Sequence, residues 1–77
     1  MDLREIFAIN LRRIRHEKGL SQEELADLAG VNRTYISKIE TAVTFVGLEI
    51  VGKLADVLEE EPAELLRPLP KRGKRKA

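Results

Sequence analysis

Apolar residues return along this chain at intervals of three and four, the spacing that lines one face of an α-helix. Phe7, Leu11 and Ile14 make the first such stripe, with Leu3 one turn earlier, and predict a helix capped by Asp2 and running through Lys18. Gly19 stops it at a position that often needs a positive φ. Ile9 falls off the stripe and is expected on the surface. Leu25, Ala26 and Ala29 predict a short second helix over 22–29, and Ile36 and Ile39 a third over 33–40. A loop over 41–47 separates these from a fourth helix with Leu48, Val51, Leu54, Ala55 and Leu58 on one face. Pro62 suits the first turn of a fifth, which carries Leu65 and Leu66. The sequence carries no strand pattern, so the expected fold class is all-α with five helices.

The polar residues between the stripes are helix punctuation. Ser21 and Glu24 make a capping box: the serine hydroxyl accepts from the Glu24 amide, and the glutamate reaches back to the Ser21 amide. Gly30 ends the second helix, and Asn32, two residues on, caps the third. Two short capped helices joined by a glycine-containing turn of three or four residues are the pattern of a helix-turn-helix. Ala26 fits it, because a small side chain there lets the two helices cross closely.

Composition narrows the function. Seventy-seven residues suffice for one compact domain. The absence of cysteine removes disulfides, iron–sulfur clusters and zinc fingers, and the one histidine, His16, has no recognisable metal-binding partner. MDLREIFAIN is too charged for a signal peptide, and no stretch approaches the roughly 20 apolar residues of a membrane span. A cytoplasmic protein with no membrane partner is expected. No nucleophile–base pair, metal cluster or phosphate loop can be assembled, so no enzyme, cofactor or small-molecule ligand is expected. The net charge of +1 hides an asymmetry. Residues 1–66 carry eight Lys/Arg against thirteen Asp/Glu, a net of −5, while residues 67–77 carry six Lys/Arg and no acid. The expected organisation is a helix-turn-helix domain over 1–66 and a basic disordered tail over 67–77, suited either to sequence-neutral attachment to DNA or to solubility alone.

The run GLSQEELADLAGVNRTYISKIE resembles the helix-turn-helix of phage lambda-type repressors and Xre-type bacterial regulators. NRTYISKIE is most similar to the controller proteins of restriction–modification systems, and the likeness continues through LEIVGKLADVLEEEPAELL, covering about residues 5–66. The resemblance implies a lambda-repressor-like fold and a sequence-specific transcriptional regulator that binds double-stranded DNA. It implies that the third helix, about 33–40, enters the major groove. One stretch departs from the family: after Glu40 its members usually continue with a polar loop of the form RGKRNPS, where this chain has TAVTFVG.

In that setting Arg33, Thr34, Ser37 and Lys38, at the start and on the outer side of the third helix, are the candidate base-reading residues. Gln22 matches a family position whose amide binds phosphate, and Ser21, Asn32 and Tyr35 complete the candidate phosphate contacts. Tyr35 could also stack near the groove or pack against the first helix. Arg12, Arg13 and Lys18 either add to the field facing DNA or form a solvated face. Arg15 and Glu40 match an arginine and a glutamate that pair between the first and third helices. A homodimer on a palindromic operator is expected, with Val43, Phe45, Val46 and Leu66, and Leu69 beyond them, as its apolar surface. Phe45 could instead fold back on the domain's own core. The acidic body and the apolar loop leave an alternative from another class: a protein-interaction module such as an antitoxin or adaptor.

Overall fold

Five α-helices and no strand make up the part of the chain that the structure, a computed structural model, describes, residues 1–69. They are α1 (Leu3–Glu17), α2 (Gln22–Ala29), α3 (Arg33–Glu40), α4 (Leu48–Leu58) and α5 (Pro62–Leu65). The expected tail over 67–77 therefore falls largely outside the described residues. Each of the first three helices starts on a side-chain cap. The carboxylate of Asp2 accepts from the amide of Arg4, the hydroxyl of Ser21 from Glu24, and the amide oxygen of Asn32 from Thr34. Removing one such cap typically costs about 0.5–2 kcal/mol.

The first four helices end alike. A residue in the left-handed region turns the chain, its own N–H and the next one folding back onto carbonyls of the last turn. The two bonds are Gly19 to His16 and Leu20 to Arg15 after α1, and Gly30 to Asp27 and Val31 to Ala26 after α2. They are Ala42 to Ile39 and Val43 to Lys38 after α3, and Glu59 to Asp56 and Glu60 to Ala55 after α4. Glycine occupies the left-handed position in the first two; Ala42 (φ 61°) and Glu59 (φ 59°) occupy it in the others.

α3 packs on α1 and α2, α4 closes against α2, and α5 sits across α1 and α4. Between them Leu11, Leu25, Ile36, Ile39, Leu54, Leu58 and Leu65 are almost wholly excluded from solvent. Each is worth about 1.5–3 kcal/mol relative to an exposed side chain, and these residues hold the domain together. Two positions expected in this core are not in it. Leu3 is 53% exposed and Leu48 85% exposed. Both stand in the first turn of their helices, where the stripe continues but nothing packs opposite it. Leu66 is exposed as well, so α5 contributes only Leu65.

One buried polar residue fastens the carboxyl-terminal segment. Asn10 is fully buried; its Nδ2 donates to the carbonyls of Leu65 (3.0 Å) and Arg67 (2.8 Å), and its Oδ1 accepts from Arg13. A satisfied buried amide of this kind fixes one arrangement, because losing a partner leaves a desolvated group unpaired. None of the described helices is long and apolar enough to cross a membrane.

Candidate nucleic-acid interface

α3 has two contrasting sides. Ile36 and Ile39 face the core, while Arg33, Thr34 and Lys38 are exposed and Ser37 is half-buried. The exposed side begins where Asn32 caps the helix and Gly30 turns the chain, and the amino ends of α2 and α3 lie eleven residues apart in the sequence.

The capping side chains keep donors in reserve. Ser21 uses its oxygen as acceptor for the Glu24 amide and retains its O–H; Asn32 uses its carbonyl oxygen and retains two N–H. Both residues are exposed. Gln22 is half-buried and donates one N–H to Glu40 Oε1 at 3.0 Å, which leaves the other. Four donors thus stand at the starts of α2 and α3, where the peptide dipoles favour an anion. Glu23 and Glu24 in the first turn of α2 work against that, although the Glu24 carboxylate is held on the Ser21 amide at 2.8 Å.

Glu40, the last residue of α3, is the hub that holds the helix. Its carboxylate, 2% exposed, accepts from Arg15 Nε (2.7 Å) and Nη2 (3.0 Å) as well as from Gln22. Arg15 Nη1 continues to the carbonyl of Leu20, so one guanidinium ties α1, the α1–α2 turn and α3. The backbone carbonyl of Glu40 accepts from Arg12 Nη1 at 2.9 Å. Arg12 therefore has a definite partner, which its place on a charged helix face did not indicate.

The cations divide into two sets. Arg4, Arg13, Lys18 and Arg67 pair with acidic neighbours, Arg15 with Glu40, and Arg12 with a carbonyl. Arg33 and Lys38, both on the outer side of α3, and Lys53 on α4 take no ion-pair partner among the described residues. The acidic body thus neutralises most of its positive charge internally and leaves two cations on the same short helix. His16 is exposed, and no cluster of three or more potential metal ligands occurs among the described residues.

The loop after α3 leads to a second feature. Phe45 is 76% exposed and does not enter the core; its ring lies 4.7 Å from the guanidinium of Arg4. The ring of Tyr35 packs against the core, and its hydroxyl donates to the carbonyl of Phe45 at 3.4 Å. Phe45 and Val46 line a groove of about 640 Å³ with Leu3, Phe7, Leu48 and Leu66. Val43 is exposed nearby in sequence but does not line it, and Leu69 is exposed beside Ile6, Ile9 and Asn10. Leu3 and Leu48, absent from the core, reappear here as walls of an open apolar surface.

A helix-turn-helix family profile matches residues 11–65, from the middle of α1 to the end of α5. The chain is 42% identical over 67 residues to a hypothetical transcription factor of Neisseria meningitidis, covering 87% of this chain and 63% of the length of that relative. The crystal structure of the restriction–modification controller protein C.AhdI from Aeromonas hydrophila is similar at a TM-score of 0.78 and 44% identity, over 80% of this chain and 94% of that one. The biofilm regulator SinR, solved in complex with DNA, is similar at a TM-score of 0.76 and 34% identity, over 79% of this chain and 98% of that one.

Proposed function

The chain belongs to this helix-turn-helix family, and on that premise we propose that it is a transcriptional regulator that binds double-stranded DNA sequence-specifically through α3. The observation that carries the reading is the placement of Arg33 and Lys38. They are exposed cations without an acidic partner among the described residues, on the side of α3 opposite its buried isoleucines. Arg33, Thr34, Ser37 and Lys38 read base edges in the major groove, arginine being suited to guanine. Ser21, Gln22, Asn32 and Tyr35 meet phosphates on either side, the first three through the donors their caps and clamp leave over. Arg15 and Glu40 act within the protein and hold α3 in place.

The test is selection of bound sites from random duplexes, followed by Arg33→Ala. The variant should lose about 1–3 kcal/mol on the selected site and relax preference at one base pair. Unchanged affinity and preference would remove α3 as the reader.

The working unit in this reading is a homodimer on a palindromic operator. One helix of this length reads only a few base pairs, too few against a genome of competing sites, and two copies double the contacts. The groove supports a second copy as its occupant, because it joins Phe45, Val46 and Leu66 in one open apolar surface; Val43, exposed in the same loop, lies outside its lining. Sedimentation of wild type and Phe45→Ala at micromolar concentration checks this: wild type should associate and the variant should not. The cations beyond residue 69, outside the described residues, then add sequence-neutral attachment to the phosphate backbone, and removing residues 70–77 should flatten the salt dependence of binding.

A further inference from the structure

Four side-chain hydrogen bonds converge on Glu40, and only one of them reaches the backbone of α3. The two bonds that close the helix end take the carbonyls of Lys38 and Ile39, and the hydroxyl of Thr41 adds to those of Ser37 and Lys38. The carbonyl of Glu40 is left out of that local pattern, one of the unsatisfied groups every helix end carries. Arg12 Nη1 supplies its donor from α1, 28 residues away in sequence. Arg12 stands one turn before Arg15 on the same face of α1, so two guanidinium groups grip one residue. Arg15 holds the carboxylate and Arg12 holds the main chain. A side-chain grip tolerates rotation of the helix about the Glu40 side-chain bonds; a grip on the carbonyl does not.

We infer that Arg12 is a positioning residue for the recognition helix. It fixes the carboxyl end of α3, and with it the place of Lys38 on the outer face and the direction in which the 41–47 loop leaves. The inference rests on the DNA-binding reading for its consequence, discrimination between sequences, but not for the local effect. Interfaces that read base edges need side chains held within about half an ångström, so a loosened helix end lowers discrimination before it lowers general attraction to DNA.

Two variants separate the possibilities. Arg12→Met keeps most of the apolar stem and removes the donor; Arg12→Lys keeps a donor that can approach the same carbonyl. In Arg12→Met, amide hydrogen exchange at Thr41, Ala42 and Val43 should quicken about tenfold relative to core amides such as that of Ile39, and Arg12→Lys should recover most of the protection. On DNA, measured where both variants are folded, Arg12→Met should lose about tenfold on the selected site and little on random duplex. Exchange that rises equally throughout the domain would mean a role in global stability only and would overturn the inference. So would equal losses on both duplexes with a shallower salt slope, since that is the signature of a phosphate contact. If wild type selects no site, the DNA reading fails, and the exchange experiment still decides whether Arg12 holds the helix end.

Discussion

Helix α3 is entered and left by two turns of the same backbone type but different construction. On entry, Gly30 takes the left-handed position and Asn32 caps the next helix, and every tie lies within five residues. On exit, Ala42 takes the left-handed position, and the turn is braced from a distance by Arg12 and Arg15 on α1 and by Gln22 on α2. The entry is stable on its own terms. The exit is strained locally and held by the rest of the domain. An L-residue in the left-handed region costs roughly 1–2 kcal/mol, and at Ala42 the bonds around Glu40 and the closure of α3 offset it.

The largest effect should come from breaking the distant brace. Arg15→Ala leaves the Glu40 carboxylate buried with Gln22 as its remaining side-chain partner, and loss of one member of a buried pair costs about 3–5 kcal/mol. A domain this small has about that much in total, so the variant should be largely unfolded at 25 °C. Arg15→Met with Glu40→Leu removes both charges and should recover part of the loss, because no unpaired charge remains. Thermal melts of the two singles and the double give the coupling; additive losses would show that the brace is no unit.

That difference between the turns also decides what could be read from the residues alone. Ser21 with Glu24, Gly30, and Asn32 with Thr34 are short-range chemistry, and they place both helices of the motif at their observed limits. Arg12 gave no such signal: its partner is a backbone carbonyl, which every residue has, so nothing marks Glu40 as the one it meets. Asn10 did carry a signal that the apolar stripe concealed. It follows Phe7 by three and precedes Ile14 by four, so it lies on the buried side, where a polar residue needs a partner. Leu3 and Leu48 show the reverse limit. Periodicity says which side of a helix is apolar but not whether another element covers its first turn. Likewise Glu59 ends α4 in the conformation Gly19 and Gly30 adopt, with no glycine to announce it.

Exchanging the residues of the two turns should move stability in opposite directions. Gly30→Ala should destabilise by about 1–2 kcal/mol, the cost of an L-residue at positive φ; an added Cβ there meets nothing within 4 Å, so no clash contributes. Ala42→Gly should stabilise by about 0.5–1 kcal/mol, the relief of that cost less the extra freedom glycine gives the unfolded chain. Denaturant midpoints at unchanged slope measure both. A destabilised Ala42→Gly would mean that the exit turn is set by its distant brace so firmly that the left-handed residue carries no strain.

The smallest effect tests the side-chain tie between α3 and the loop that follows the exit turn. Tyr35 and Phe45 are ten residues apart, and the hydroxyl-to-carbonyl distance of 3.4 Å is at the long limit for an O–H···O bond. The ring, by contrast, packs against the core and stays in Tyr35→Phe. Stability should therefore change by less than about 0.5 kcal/mol, below the usual worth of a well-formed bond. The same variant bears on DNA, because a phosphate oxygen at a better distance would draw the hydroxyl away from Phe45 at little cost. In the proposed role Tyr35→Phe should then weaken binding to selected and random duplexes by similar factors, with base preference intact. A large loss of stability with normal binding would instead make the hydroxyl a brace of the exit turn, and the two turns would resemble each other more than their residues suggest.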